Sequence, residues 1–314
     1  MAMTFGIHIG HMGGPLHEMR RLWRFADERG FDWFSVSDHF QESPPQGGRL
    51  DCFEGVTTMA VAAAETRRVR IGSLVYCIGY RNPGLLAAAL TSVDHISGGR
   101  LECGIGAGWH AVEHEAFGIP FEPIGVREDR LEEYAQVLRL LFAPDLPSAD
   151  FTGRFYSLKD ARNNPEPLQK RVRIWIGGGG ERRTLRAVAR YADGWNLPYQ
   201  GPDAWKAKNA VLDEWCAKEQ RDPRAILRTV NVGFYLGADT RGAARSEALY
   251  RTHWSKDPRT GFLRGTPQQA LDMVARYAEA GCHRLNIAFR QGPYDWEAVE
   301  GFAETVLPAF DSRP

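Results

Sequence analysis

Net charge is the first thing this sequence lacks: 39 Lys and Arg stand against 39 Asp and Glu in 314 residues. A neutral chain exerts no pull on a polyanion, so nucleic-acid binding is not expected. Long apolar runs are missing too. None approaches the roughly 18 residues that a membrane-spanning helix needs, and no membrane partner is expected. The five cysteines, Cys52, Cys77, Cys103, Cys216 and Cys282, form no C-x-x-C and no close pair, which is the usage of a reducing compartment. The stretch from Met1 to Gly10 has no charged lead-in and is polar at His8, so it does not read as a secretory signal, and the expectation is a cytoplasmic protein. Neither G-x-S-x-G nor a Walker A sequence occurs, which removes the main supports for nucleophilic hydrolysis and P-loop chemistry. What is present, 43% hydrophobic and 25% charged residues, is the composition of a soluble globular chain.

Short apolar runs alternate with amphipathic stretches along the whole length. Strands are expected at 4–9, 33–37, 69–76, 101–105, 172–176, 194–197, 227–236 and 284–289. Between them the apolar period becomes helical: Met19, Leu22, Trp23 and Ala26 share a face, as do Leu131, Tyr134, Leu138 and Leu141, and Leu271, Val274, Ala275 and Ala278. Three junctions resemble one another, Ala26-Asp-Glu-Arg-Gly30, Ala189-Arg-Tyr-Ala-Asp-Gly194 and Ala278-Glu-Ala-Gly281. In each a helix ends near a glycine able to take the left-handed cap, and a strand follows. Eight such units predict an α/β fold of the (β/α)8 TIM-barrel type, one domain over residues 1–314, with insertions at about 143–170 and 257–266. The first insertion contains a hairpin around Thr152-Gly153. The second precedes a helix capped by Thr266 with Pro267 at its first position.

In such a barrel chemistry gathers where the strands end, and the polar, glycine and aromatic signals of this chain gather there. Ile174-Trp-Ile-Gly177-Gly178-Gly179-Gly180-Glu-Arg182-Arg183-Thr184 runs from a strand through four glycines into a helix. Bare amides and a helix N-terminus suit a phosphate, with Arg182 and Arg183 able to reinforce it; a tight empty turn is the alternative. Gly104-Ile-Gly106-Ala107-Gly108-Trp109 lacks the spacing of a dinucleotide fingerprint and reads either as a wall for a flat ring or as a packing solution. His110-Ala-Val-Glu113-His114 has the H-x-x-E-H form of an inverted zincin but no evident third ligand, so no metal is assigned. Asp38-His39 puts an ionisable pair at the rim, where His39 can donate a proton or a hydrogen bond to a substrate, or serve the structure alone. Asp94-His95 lies within an expected helix at 83–96 and reads as structural. Trp109 and Trp195, both at strand ends, leave room for an aromatic pocket.

Phe31-Asp-Trp-Phe-Ser-Val-Ser-Asp-His-Phe40, Arg81-Asn-Pro83, Ile96-Ser-Gly-Gly-Arg-Leu-Glu-Cys-Gly-Ile-Gly-Ala-Gly-Trp109, Phe117-Gly-Ile-Pro-Phe121, Ile176-Gly-Gly-Gly-Gly-Glu-Arg-Arg-Thr184 and Ala192-Asp-Gly-Trp-Asn196 occur in that order. Together they resemble the luciferase-like monooxygenase superfamily, most closely its deazaflavin branch, which uses coenzyme F420. The resemblance runs from about Phe5 to Phe289. It implies a TIM barrel with the tricyclic ring at the C-terminal rim, a non-proline cis peptide at Leu74-Val75 against that ring, Asp38 and His39 beside it, and a phosphate at Gly177–Gly180. It also implies a homodimer. Trp109 stands where the sugar-phosphate dehydrogenases of this family carry a glutamate proton donor, so a needed proton falls to His39 or to a residue the resemblance does not place.

The reading is an oxidoreductase passing a hydride between coenzyme F420 and a small organic substrate. His39 is its catalytic residue. Asp38, His39, Leu74, Val75, Gly106, Ala107, Gly177, Gly178, Gly179, Gly180 and Trp195 hold the cofactor, and His11 and Trp109 face the substrate. The alternatives are an FMN-dependent monooxygenase on the same scaffold and a deazaflavin-binding protein without turnover; a metallohydrolase is the remaining rival.

Overall fold

The protein was analysed as a computed structural model, which describes residues 3–41, 50–254, 256–291 and 294–310, without the side chains of 11, 12 and 291. Eight parallel strands close into a barrel: β1 (Thr4–Met12), β2 (Trp33–Val36), β3 (Arg70–Ser73), β4 (Leu101–Gly106), β5 (Arg173–Gly177), β6 (Gly194–Pro198), β7 (Leu227–Leu236) and β8 (Arg284–Gln291). Each pairs with the next, and β8 returns to β1. This is the (β/α)8 fold, with every strand found where an apolar run predicts it. Met19, Leu22, Trp23 and Ala26 are fully buried on the helix after β1, and Leu131, Tyr134 and Leu138 on the helix after β4. On the helix 267–279 the buried face is shifted by one residue, to Ala270, Val274, Tyr277 and Ala278, with Leu271 and Ala275 at its edge.

Two local expectations need correction. Gly30 and Gly281 do take positive φ after their helices, but Gly194 does not; it is the first residue of β6. A Cβ there would run into the Trp175 indole, so packing rather than a left-handed cap calls for glycine at 194. The stretch 257–266 is more than a polar insertion: Phe262–Gly265 forms a further parallel strand paired with the end of β7, Gly233–Leu236. It leads into the helix Pro267–Glu279 through a full capping box of Thr266 and Gln269. In 143–170 a two-stranded hairpin, Ala149–Thr152 with Ser157–Ala161, turns at Gly153. Asp94 is buried in the helix Pro83–Ser97 and accepts hydrogen bonds from Leu168 N and from Gln169 Nε2, which fits its structural reading.

The barrel floor is ionic and aromatic. Glu102 on β4 is wholly buried and accepts from Arg173 NH1 and Trp175 Nε1, each at 2.8 Å, and from Arg70 Nε. Arg284 lies between the Trp33 and Trp175 rings, 4.5 and 4.6 Å from their centroids, and 3.7 Å from the second Glu102 oxygen. One carboxylate thus serves guanidinium groups from three different strands, fixing their relative register beneath the cavity. Removing that charge takes a partner from Arg284, which is buried and keeps only Asp32, and from the partly exposed Arg70 and Arg173. Glu102→Gln is expected to lose about 1–3 kcal/mol of stability, read as a lower urea midpoint without a change in slope.

Candidate active site

The strand ends open into a cavity of about 790 Å³, within the size range of cofactor pockets. One wall is Leu74 and Val75, which follow β3, and Gly106, Ala107 and Gly108, which end β4; Gly177–Gly180, beyond β5, form the next. The peptide Leu74-Val75 is cis. Val75 seats its side chain between two strands: a Cβ at Gly106 would lie 2.5 Å from Val75 Cγ2, and one at Gly177 2.8 Å from Val75 Cγ1. Both glycines therefore make room for Val75, and the wall they form shows main chain to the cavity.

Asp38 and His39 follow β2 and divide the work of their loop. Asp38 is buried; one oxygen accepts from Arg81 NH1 at 2.7 Å and from Cys77 N at 3.0 Å. Its other oxygen, Oδ1, is buried beside Gly55 with no hydrogen-bond partner among the described residues. Burial pushes the Asp38 carboxyl up from its ordinary value, and Arg81 opposes that. His39 turns Nδ1 to Glu113 Oε2 at 2.7 Å. Glu113 also accepts from Tyr80 OH at 2.6 Å and from the amides of Phe40 and Gln41 at 2.5 and 2.8 Å. Burial alone would raise the Glu113 carboxyl. The hydrogen bond and charge of His39, with Tyr80 and the amides, outweigh it and hold the group at about 2.

The glycine turn differs in detail from its expected form. Gly178 N donates to Asn196 O, and Gly178 O accepts from Trp195 Nε1 at 2.7 Å. Trp195 is fully buried, stacked on Trp205, and does not line the cavity. It braces the turn from behind instead of meeting a ligand. Arg182 is exposed, and Arg183 is engaged by Asp129 and Gly125 O, so the turn offers amides without a guanidinium. A three-residue turn intervenes before the helix Thr184–Tyr191 begins. Across from Gly180, buried Glu128 accepts from Thr184 Oγ1 at 2.7 Å, while its Oε2 has no partner among the described residues.

Trp109, 59% exposed, stands at the mouth, parallel to His110 and edge-on to His39 at 5.4 Å. The side chain of His11 lies outside the described residues. His8, on the same face of β1 as Gly10, lines the cavity and meets Ser35 Oγ at 2.9 Å; strict alternation from the strand start could have singled it out. In H-x-x-E-H, His114 is 3.7 Å from Cys77 Sγ and bonded to Pro120 O. Among the described residues no group of three His, Cys, Asp or Glu side chains is placed to hold a metal. The far wall comes from the second insertion and the helix before it, which bring His253, Trp254, Asp257 and Arg259 to face Tyr199 and Arg290. Spacing could not reveal Tyr80 or Glu128, because one reaches the site from the turn before the helix Pro83–Ser97 and the other from the helix Ile124–Leu141.

A closed parallel barrel whose strand ends enclose a cavity walled by bare main chain on one side and a histidine–carboxylate pair on another belongs to the rim-site barrels. The comparisons say which. The profile of the luciferase-like monooxygenase family matches residues 2–263, and the chain belongs to that family. It is 29% identical to an F420-dependent glucose-6-phosphate dehydrogenase of Microbacterium testaceum, over 99% of each chain. It is also 27% identical to an FMNH2-dependent dimethylsulfone monooxygenase of Pseudomonas putida, over 72% of this chain and 60% of the other. An F420-dependent secondary alcohol dehydrogenase, solved with an F420-acetone adduct, superposes with a TM-score of 0.84 at 19% identity, over 99% of this chain and all of the other. At that identity the likeness is one of fold. No described helix is long and apolar enough to cross a membrane.

The Glu113 carboxyl sets an acid limit. Its folded value, about 2, lies below the ordinary 4.5, so the stability it contributes is present above pH 4.5 and drains as pH falls toward 2. Asp38, raised, works in the opposite sense. Urea midpoints measured across pH 2 to 6 are expected to fall less steeply in Glu113→Gln than in the parent protein.

Proposed function

We propose that this protein is an oxidoreductase that moves a hydride between coenzyme F420 and a small organic substrate. The observation that carries the reading is the main-chain wall at Val75, Gly106 and Gly177, a flat face at the rim with His39 beside it. The donor set fits a tricyclic ring bearing a polar tail. Asp38 Oδ1 and Glu128 Oε2 are buried acceptors without donors, and a ring N–H and a hydroxylated chain are donors of the kind they lack. The glycine turn leaves amides for an anionic group. When bound, the deazaflavin supplies two-electron hydride chemistry at C5, the carbon that stands in place of a flavin's N5.

The chain's own part is positioning and proton management. Leu74, Val75, Gly106 and Ala107 back the ring. Gly177, Gly178, Gly179 and Gly180 hold its tail. Trp109 covers the mouth over the substrate, a role to which His11 is also assigned. His39 moves the proton that accompanies the hydride, with Glu113 behind it. The F420-dependent relatives support the cofactor assignment, and the FMNH2-dependent relative supports a second reading, an FMN-dependent monooxygenase. A histidine able to cycle one proton suits a dehydrogenase or reductase better. We further propose a homodimer.

Titrating the protein with F420 and with FMN in turn is expected to perturb the absorbance of F420 at lower concentration, and reduced cofactor in air is expected to give no prompt substrate-dependent oxygen uptake. Tighter binding of FMN with such uptake defeats the deazaflavin reading in favour of the monooxygenase. His39→Ala should keep cofactor affinity and lose about 10²–10⁴ in hydride transfer. A parent protein that binds F420 but transfers hydride to no acceptor across a substrate panel is a carrier, and the enzyme reading fails.

A further inference from the structure

The H-x-x-E-H segment has no metal to hold among the described residues and no place in the cofactor's cradle, yet its glutamate is the most heavily hydrogen-bonded acid at the rim. We infer that Glu113 is a positioning residue that fixes the neutral His39 imidazole as its Nδ1–H tautomer, leaving Nε2 as the proton acceptor for a substrate hydroxyl. The role of Nε2 rests on the reading of His39 as the proton-moving residue; the tautomer does not.

Donors and acceptors around Glu113 decide which ring nitrogen carries the hydrogen. Glu113 has no exposed side-chain surface. Its Oε1 is filled by two backbone amides, which can only donate, and its Oε2 is shared by Tyr80 OH and His39 Nδ1. An ionised carboxylate has no proton to give. The Glu113 carboxyl is ionised well below neutrality. The hydrogen on the 2.7 Å contact therefore belongs to Nδ1. A neutral imidazole has one N–H, so Nε2 carries the lone pair. His39 lines the cavity and Glu113 does not, which makes Nε2 the ring nitrogen available to a ligand. The other histidines of the segment are committed elsewhere: His114 to Pro120 O, and His110 to its stack on Trp109.

The arrangement has a direct chemical use. In oxidation of an alcohol, the hydroxyl proton passes to Nε2 and the O–H electron pair becomes the second C–O bond. The C–H pair leaves as hydride to the deazaflavin. The imidazolium that results sits against a buried carboxylate, which stabilises it through a charge-assisted hydrogen bond. In the reverse direction the same proton returns to a carbonyl oxygen. A ring locked in the other tautomer would present an N–H to the hydroxyl and accept nothing. Glu113 also ties the amides of Phe40 and Gln41 to the helix Ala111–Ala116, so the same carboxylate that selects the tautomer holds the backbone after His39.

The test uses the full-length protein without cofactor or substrate, labelled with 15N at its nine histidines. Long-range proton–nitrogen correlation spectra report which ring nitrogen carries hydrogen, and the His39 signals are identified by their loss in His39→Gln. Spectra are taken at a pH where these signals no longer move. The parent is expected to show a protonated Nδ1 and a bare Nε2. In Glu113→Gln the ratio should shift toward the Nε2–H form by at least about tenfold, the scale of a lost charge-assisted bond. Tyr80→Phe, which leaves the carboxylate in place, should keep the parent pattern. A parent spectrum with hydrogen on Nε2 overturns the inference, as does an unchanged ratio in Glu113→Gln or an equal shift in Tyr80→Phe. If Glu113→Gln does not fold, the parent spectrum and Tyr80→Phe still decide. Because no cofactor takes part, a protein with the expected tautomer that binds neither ring system would refute the proposed function and leave the positioning role standing.

Discussion

The site depends on the seat of one side chain. Val75 occupies the space that Cβ atoms at Gly106 and Gly177 would fill, joining the end of β3 to those of β4 and β5. The same economy continues a layer down, where a Cβ at Gly104 would run into the Ser73 carbonyl. Strands this closely packed cannot line their ends with side chains on that side, so the wall they present is backbone. A backbone wall is flat and its dipoles are fixed, which is what a planar ligand needs and what a purely side-chain lining does not give. The ionic floor at Glu102 keeps these strands in register from below, so rim and floor constrain the same three strands from opposite ends.

Beside that wall, two carboxylates are driven in opposite directions. Asp38 receives two donors on one oxygen and none on the other, and burial prevails. Glu113 receives four donors, and hydrogen bonding prevails. Both depth of burial and supply of donors separate the two: the deeper carboxyl with fewer donors is raised, and the better-supplied one is an ionised anchor. His39, between them in the chain, inherits a fixed orientation from the second.

The strands, the glycine-rich turns and Asp38-His39 were legible because each is written in contiguous residues with a period or a spacing. Where the reading failed, the cause lay across the barrel. Gly194 matches a cap by its local sequence and is a packing residue because Trp175 sits on the adjacent strand. Trp195 reads as a strand-end aromatic, but the parity of β6 directs it outward, against Trp205. Glu113 sits inside a motif that suggests a metal, and its true partners, His39 and Tyr80, are 74 and 33 residues away. Such partners are brought together by topology, and no local pattern carries them.

The far wall explains why substrate identity is the least legible feature. Trp254 and Arg259 come from the helix and loop that precede the added strand Phe262–Gly265, outside the eight-stranded frame. Arg259 is bidentate with Asp257 and lies over the Tyr199 and Trp254 rings at 5.3 and 4.9 Å, so much of its charge is already answered within the wall. What it offers a ligand is set by aromatic stacking and by Arg290 beside it, not by residue type alone. The ring site is built from main chain that many side-chain substitutions would leave intact, while the substrate wall is built from side chains on an insertion whose changes need not disturb the barrel. One chain can thus declare its cofactor class in its glycines and keep its substrate in the packing of a loop.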